Sequence, residues 1–453
     1  MLKIKSPETW LNIRYGGAAF ALGMPTIPLL VHLPILYAEQ LGLGLTATGL
    51  ALFFARLFDV VTDPLVGLIS DRPLLKKLGW GRRKPLILVG GVLAAIGTVY
   101  LLNPSENVSW FYLMGWAAIL YLGWTLISIP YLAWGADLSK SYGGRTQVTS
   151  IREGFMLSGI LLAGAVPALA TLSGFSERQS ISFVGWVVVA LGAVLFAILL
   201  RSVQEPNFPK LHRKETARAA MKGSLENRPF ILLLSAWFLN GIANGIPAVL
   251  FLLYMKHVLG ATELQRGLLT FLYFLAGIVG IAIWFWLGKS INKHRVWAIA
   301  MMIACGAFSI VPFLGAGDIE LFVFVTIITG LTLGADLAIP PSLQADIAEY
   351  EYLRSRRDRT GLLFAFWSMA TKMSLAVSVA VSFPLLEYLG FSTESNLEEN
   401  NILALSVIYS VAPIVFKIAA ICIVWQYPLT QKKQLVIQQR IAKLEDYDMS
   451  HRL

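Results

Sequence analysis

The chain has 453 residues, of which 56% are hydrophobic and only 14% charged, with a formal net charge of +10 at pH 7. That leaves too little polar surface to coat a water-soluble globule of this length, so the composition excludes a soluble domain and points to the bilayer. The two cysteines, Cys305 and Cys422, both fall in apolar runs, which excludes a disulfide framework and metal-type cysteine spacing.

A hydrocarbon core needs about 20 mostly apolar residues per helix. Met1 to Trp10 is polar and leads into the first such run with no small-residue cleavage site, so a retained first span is expected, not a removable signal peptide. Runs at 12–37, 45–70, 86–103, 110–137, 147–172 and 180–200 predict six spans in the first half. A polar, basic stretch with Pro206, Pro209 and Pro229 follows, and runs at 230–255, 266–288, 296–314, 320–343, 360–388 and 401–425 predict six more. The expected architecture is an all-α membrane protein of 12 transmembrane helices. It comprises an N-terminal six-helix bundle (1–200), a cytoplasmic linker (201–229), a C-terminal six-helix bundle (230–425) and a cytoplasmic tail (426–453). The tail sequence "LTQKKQLVIQQRIAKLEDY" reads either as an amphipathic helix at the membrane surface or as a solvated face with no partner.

Alternate connections are basic, with Arg72, Lys76, Lys77, Arg82, Arg83 and Lys84 in one, and Arg354, Arg356, Arg357 and Arg359 in another. The opposite loops hold only Arg178, Lys256 and Arg266. The positive-inside rule then puts both termini in the cytoplasm of a cell inner or plasma membrane. The net charge reports topology, and no nucleic-acid partner is expected. A faint repeat relates "SIPYLAWGADLSKSYGGRTQ" at span four to "AIPPSLQADIAEYEYLRSRRDRTG" at span ten, each with Ile-Pro, Ala-Asp and Arg-Thr in order. Related halves joined by a long loop are how many secondary transporters are built.

Span two carries charge inside an apolar run: "ARLFDVVTDPLVGLISDR", with Arg56, Asp59, Thr62 and Asp63 along one helical face. A charge at mid-bilayer costs about 2.5–3.5 kcal/mol on insertion scales, so the stripe must face protein or water. Two carboxylates against one guanidinium leave a negative charge for Na⁺ or a proton to balance. The competing reading is an ion-pair triad that staples span two to a neighbour, and the surplus carboxylate favours the cation site. Thr125 on span four is a candidate further oxygen donor. Arg152 on span five and Lys372 on span eleven are candidate contacts for a polar or anionic solute, or else fixed counter-ions, with Glu153 and Asp336 as possible partners. His32 and Lys417 are assigned to packing or snorkelling. Bends are expected at Gly23, Pro25, Pro28 and Pro34 in span one and at Pro130 and Pro340.

With these residues in place, the chain resembles the glycoside-pentoside-hexuronide:cation symporters, a branch of the major facilitator superfamily that includes the bacterial melibiose carriers. The resemblance runs nearly end to end and rests on "RLFDVVTDPLVGLISDR…GRRKP", "IPYLAWGADL…RTQVTSIR" and "RTGLLFAFWSMATKMSLA". It implies two bundles related by a pseudo-two-fold axis and a Na⁺ site falling on Asp59, Thr62, Asp63 and Thr125. It implies that Arg152 and Lys372 lie at the sugar pocket and its link to the cation. Gly67, Asp71, Arg72, Gly81, Arg82 and Arg83 resemble the superfamily's cytoplasmic loop signature, a conformational latch that Arg56 adjoins on span two. The sequence departs from melibiose carriers where their sugar-binding aspartates stand, at Gly23 and Ser128, and where a tryptophan stands, at Leu132. A galactoside is therefore not the expected solute. Trp124, Tyr131 and Trp367 are candidate stacking surfaces or simple packing.

The function implied is cation-coupled symport of a sugar or sugar derivative by alternating access, with Na⁺ first and H⁺ second as the ion, a bilayer-embedded monomer and no cofactor. The rivals are cation-coupled transport of a lysophospholipid, which vertebrate relatives carry, a membrane enzyme and a non-transporting sensor. For the enzyme there is no support in five histidines without metal-ligand spacing and no nucleophile motif.

Overall fold

The computed structural model describes residues 7–26, 28–71, 81–105, 108–139, 141–172, 177–205, 216–389 and 399–450. Among these residues the regular structure is entirely helical. The chain divides into two compact units, one of Met1–Met221 with Glu351–Phe366, the other of Lys222–Tyr350 with Trp367–Leu453.

The first unit contains α1 (Pro7–Gly23), α2 (Leu45–Ser70), α3 (Lys84–Leu102), α4 (Trp110–Leu138), α5 (Tyr142–Leu172), α6 (Glu177–Ser202) and the first half of a short connecting helix at Ala217–Leu225. The second contains α7 (Arg228–His257), α8 (Glu263–Leu287), α9 (Lys293–Phe308), most of α10 (Ile319–Ser355) and of α11 (Thr360–Tyr388), α12 (Glu399–Trp425) and a tail helix (Gln431–Ser450). Nine helices among the described residues, α3, α4 and α6 to α12, are long and apolar enough to cross a membrane. The three others of the first unit are the short α1 and the charge-bearing α2 and α5, which hold Arg56, Asp59 and Asp63, and Arg145, Arg152 and Glu153.

Proline explains the winding of span one. After α1 ends at Gly23 the chain runs through π-helical turns at Pro28–His32 and Leu36–Gln40. A proline ring lacks an N–H and collides with the carbonyl four residues back, which favours a wider turn. Elsewhere the chain continues as α-helix through Pro64 in α2, Pro130 in α4 and Pro340 and Pro341 in α10.

Helix ends carry local signals. Ser109 and Asn227 cap α4 and α7 by accepting from Tyr112 and Phe230 backbone N–H groups, and Thr262 with Gln265 forms a reciprocal capping box on α8. In the first unit α1 packs on α5, α2 on α4 and α3 on α4; in the second α7 packs on α12. The core of the second unit includes stacked Tyr254 and Tyr409 rings with centroids 4.2 Å apart, and the Tyr254 hydroxyl donates to the Val311 carbonyl.

The α1–α5 contact is close enough to dictate sequence. A Cβ at Gly23 would lie 2.1 Å from the Met156 carbonyl oxygen, so no other residue fits without separating the helices. A Cβ at Gly17 would meet only Leu195, at an ordinary van der Waals distance of 4.0 Å. We expect Gly23→Leu to lower the thermal unfolding midpoint of the detergent-purified protein by an amount corresponding to at least about 1–3 kcal/mol of overpacking, with Gly17→Ala near neutral. Equal midpoints for the two variants would refute the tight α1–α5 contact.

Candidate cation and solute site

The geometry of α2 begins with its two faces. Phe53, Leu57, Val61 and Leu65 are exposed on one, as suits lipid, whereas Asp59, Thr62 and Asp63 are buried on the other. Packing of α2 on α4 brings in the buried Thr125, whose hydroxyl lies 2.6 Å from Asp59 Oδ1 and 3.0 Å from Asp63 Oδ1. One hydroxyl carries one proton and can donate to only one carboxylate at a time. Two buried carboxylates this close repel unless a cation or proton joins them. Arg56 approaches Asp59 Oδ2 at 3.7 Å, but its side chain is 43% exposed and its guanidinium lies 4.3 Å over the Tyr121 ring, so it is a peripheral counter-ion. Thr62 is committed to the backbone, donating to the Asp59 carbonyl at 2.9 Å. The donor set of Asp59 Oδ1, Asp63 Oδ1 and Thr125 Oγ1 is all oxygen, the chemistry of a hard cation. No group of three or more His, Cys, Asp or Glu placed to hold a metal occurs among the described residues.

The candidate solute residues divide between the units. Arg152 is buried on α5 and its Nε donates to Glu153 Oε1 at 3.0 Å, with Nη2 on the same oxygen. Its charge is thus met by the adjacent carboxylate. Tyr131 is equally occupied: its hydroxyl donates to the Tyr15 carbonyl at 2.7 Å, the Tyr15 hydroxyl returns the bond at 2.8 Å, and the rings stack 4.4 Å apart. Trp124 and Ser128 are half-buried on α4, flanking Thr125. Gly23, where melibiose carriers have a sugar-binding aspartate, is sealed against the α5 backbone.

In the second unit Lys372 is half-buried on α11. Trp367 is buried and stacks on Trp237 at 4.4 Å, and Trp237 Nε1 donates to Thr371 Oγ1 at 2.7 Å. Asp336 is held by Trp297 Nε1 at 2.6 Å on Oδ1 and by Asn244 Nδ2 at 2.8 Å on Oδ2. Of the two readings of Lys417, packing or snorkelling, the structure overturns snorkelling. Lys417 is 2% exposed, donates to Asn240 Oδ1 and Asn244 Oδ1 at 2.8 Å each, and faces Asp336 Oδ2 at 3.8 Å. A snorkelling lysine needs a route to the interface, and this ammonium is instead solvated by amides. The signal available in sequence was a lysine deep in span twelve together with Asn240 and Asn244 one turn apart on span seven.

The loop signature folds as a charged cluster within the first unit. Asp71 accepts from the backbone N–H groups of Gly361 and Leu362, at 2.6 and 3.0 Å, at the N-terminus of α11. Arg82 bridges Asp358 at 2.5 Å and Asp137 at 3.3 Å, and Arg83 pairs with Asp137 at 2.8 Å. Gly67 meets Gly361 closely, since a Cβ there would lie 2.8 Å from its carbonyl oxygen. Gly81 has φ +79°, and Glu205 caps the start of α3 by accepting from Arg82, Arg83 and Lys84 backbone N–H groups at 2.8–3.0 Å. Arg72 lies outside the described residues. Asp358 and Glu205 were not singled out from sequence, because nothing in their local pattern marks which loop a carboxylate will reach.

The chain matches the MFS/sugar transport protein family over residues 14–431. It is 23% identical to the glucuronide carrier protein homolog of Escherichia coli, covering 91% of this chain and 90% of that protein. It is 22% identical to the human sodium-dependent lysophosphatidylcholine symporter 1, covering 89% and 80%. Among solved structures, the E. coli fucose:proton symporter FucP aligns with a TM-score of 0.64 at 13% identity, covering 91% of this chain and 98% of that one, a likeness of fold.

The charged cluster has a pH signature of its own. Burial pushes the Asp71 carboxyl up to about 7, and the neighbouring Asp358 carboxylate adds to this, against the pull of Arg82 and the two α11 N–H groups. A raised value means that the stability Asp71 contributes is full below its ordinary value near 3.8 and is lost as pH rises through about 7. Asp71→Asn carries no titrating group, so the wild-type midpoint minus the variant midpoint is expected to fall between about pH 5 and about pH 8. A constant difference in thermal scans across that range would show that Asp71 does not titrate there.

Proposed function

The chain belongs to the MFS/sugar transport protein family, a family of transporters and not of enzymes, and from that premise we propose that it is a cation-coupled symporter of a sugar or sugar derivative. The observation that carries the cation part is the Thr125 hydroxyl set between Asp59 and Asp63, an all-oxygen site from two packed helices of one unit. Na⁺ is the ion assigned, held by those two carboxylates and Thr125, with Thr62 fixing the local turn of α2. The ion neutralises the repulsion of the buried pair. By linkage, whatever factor it adds to solute affinity the solute adds to ion affinity. The cycle is alternating access by a monomer in the plasma or inner membrane, with both termini cytoplasmic.

The solute class is supported by relatives named as a glucuronide carrier homolog and a glycoside/cation symporter. Gly23, sealed against α5, and Ser128 stand where melibiose carriers have the aspartates that read a galactoside, so the reading favours a pentoside, glycoside or uronide, with Trp124 and Ser128 as the candidate contacts of the first unit and Lys372 as that of the second. The second reading is a lysophospholipid cargo, favoured by the sodium-dependent lysophosphatidylcholine symporters of human and zebrafish among the relatives.

The test is uptake into proteoliposomes of D-xylose, methyl glucosides, D-glucuronate and lysophosphatidylcholine under imposed Na⁺ or pH gradients. Na⁺-stimulated uptake of one sugar is expected. Asp59→Asn and Asp63→Asn are expected to abolish the stimulation, and Thr125→Val to weaken apparent Na⁺ affinity at least about tenfold, or 1.4 kcal/mol. Stimulation by a pH gradient alone removes Na⁺ from the proposal, uptake of the lysolipid alone removes the sugar, and uptake indifferent to both gradients and to Asp59→Asn removes symport.

A further inference from the structure

Inside the second unit lies a cavity of about 210 Å³, lined by residues of α7, α8, α9, α10 and α12. Its chemistry changes along its length. Asn244 of α7, Asp336 of α10 and Lys417 of α12 stand at one end, and about two turns or more along the same three helices the lining becomes Phe251, Phe322 and Tyr409, joined by Phe308 of α9. The wall between is mostly carbon. Its threonines donate to carbonyls of their own helix, Thr326 to Phe322, Thr329 to Val325 and Thr332 to Thr329, each at 2.8 Å, and are left with acceptor lone pairs. An apolar and aromatic pocket with a few convergent polar groups is the common form of a small-molecule site.

Two phenol groups at this cavity lack a hydrogen bond. Tyr409 is 4% exposed, and its ring is fixed by stacking on Tyr254 at 4.2 Å and by Phe308 and Phe322 at 6.2 and 6.4 Å. Its hydroxyl and that of Tyr273 on α8 both have no hydrogen-bond partner among the described residues. A buried hydroxyl in that condition is unfavourable until an oxygen or nitrogen meets it.

The charged end limits what molecule can bring that oxygen. Asp336 accepts from Trp297 and Asn244, Lys417 donates to Asn240 and Asn244, and the two opposite charges lie 3.8 Å apart. The pair is neutral as it stands. An anion entering the cavity would meet Asp336 and a cation would meet Lys417, each stripped of its water. An uncharged molecule avoids both penalties. Size narrows the class further, because a cavity of about 150 Å³ lined by Leu, Ile and Phe takes up one benzene ring. The larger volume here suits one ring carrying a short polar substituent.

We propose that this cavity is a binding site for an uncharged, single-ring aromatic alcohol, with its ring among Phe251, Phe308 and Phe322 and its hydroxyl accepting from Tyr273 and Tyr409. Aromatic pairs add to the burial of such a ring. The alcohol's own proton is offered to the threonine lone pairs of α10. The site is separate from the cation site on α2 and α4 and does not rest on the symport reading. A molecule seated in it touches five helices at once and braces α10 against α12.

The test uses para-fluorobenzyl alcohol with the detergent-purified full chain, followed by fluorine NMR, and involves no transport. A bound resonance distinct from the micelle resonance is expected in the wild type and absent in Ala304→Phe, whose ring fills the cavity from α9. Should that variant not fold, Ala248→Phe fills it from α7. Tyr273→Phe combined with Tyr409→Phe is expected to weaken binding about three- to tenfold, the worth of about one neutral hydrogen bond. Para-fluorobenzoate and para-fluorobenzylammonium, the same ring with a charge, are expected to bind at least about tenfold more weakly than the alcohol. A bound resonance that survives the filling substitution is partitioning into detergent and overturns the site, as does the absence of any bound resonance. Equal binding of the charged probes overturns the uncharged class, and an affinity unmoved by the tyrosine substitutions overturns the hydroxyl anchor.

Discussion

The sharing of one threonine hydroxyl between two buried carboxylates is the interaction on which the first unit is organised. Asp59 and Asp63 cannot face hydrocarbon, so α2 is rotated to turn them inward and to leave Phe53, Leu57, Val61 and Leu65 outside. Bringing Thr125 to within 3.0 Å of both then requires α4 to sit tightly beside α2. The backing helix is set as closely, for a Cβ at Gly90 of α3 would lie 2.7 Å from the Gly123 carbonyl oxygen of α4. Small residues behind the site and acids within it are two parts of one packing solution.

The two units handle buried charge differently. On α2 two acids converge on a hydroxyl and a half-exposed arginine stands to one side. In the second unit an acid and an ammonium sit together in a shell of amides and an indole, an arrangement neutral as it stands. An ion pair in a low-dielectric interior is retained only when its hydrogen bonds are nearly complete, and here Asn240, Asn244 and Trp297 complete them. Arg152 with Glu153 follows the same rule on α5. Intramembrane charge in this protein is thus concentrated at a few inward positions, each with a distinct partner chemistry.

The charged cluster of the first unit turns a loop signature into a set of defined contacts. Asp71 grips the start of α11 through two backbone N–H groups, Arg82 spans Asp137 and Asp358, and Glu205 fixes the start of α3.

Helix number, order and the inward face of α2 were legible in the sequence, because each follows from local chemistry: runs of apolar residues set the spans, and the spacing of Asp59, Thr62 and Asp63 sets the face. The π-helical winding after Gly23 was foreshadowed by Pro25, Pro28 and Pro34. The partners of those faces were not legible in the same way. Thr125 and the Arg152–Glu153 pair stood in the sequence only as candidates, while the seat of Lys417 between Asn240 and Asn244 and the reach of Glu205 to the start of α3 appear only in the fold. A sequence states which side chains must be hidden from lipid. Which residue meets them depends on helix rotation and depth, fixed jointly by all neighbours, and only the tertiary structure decides that.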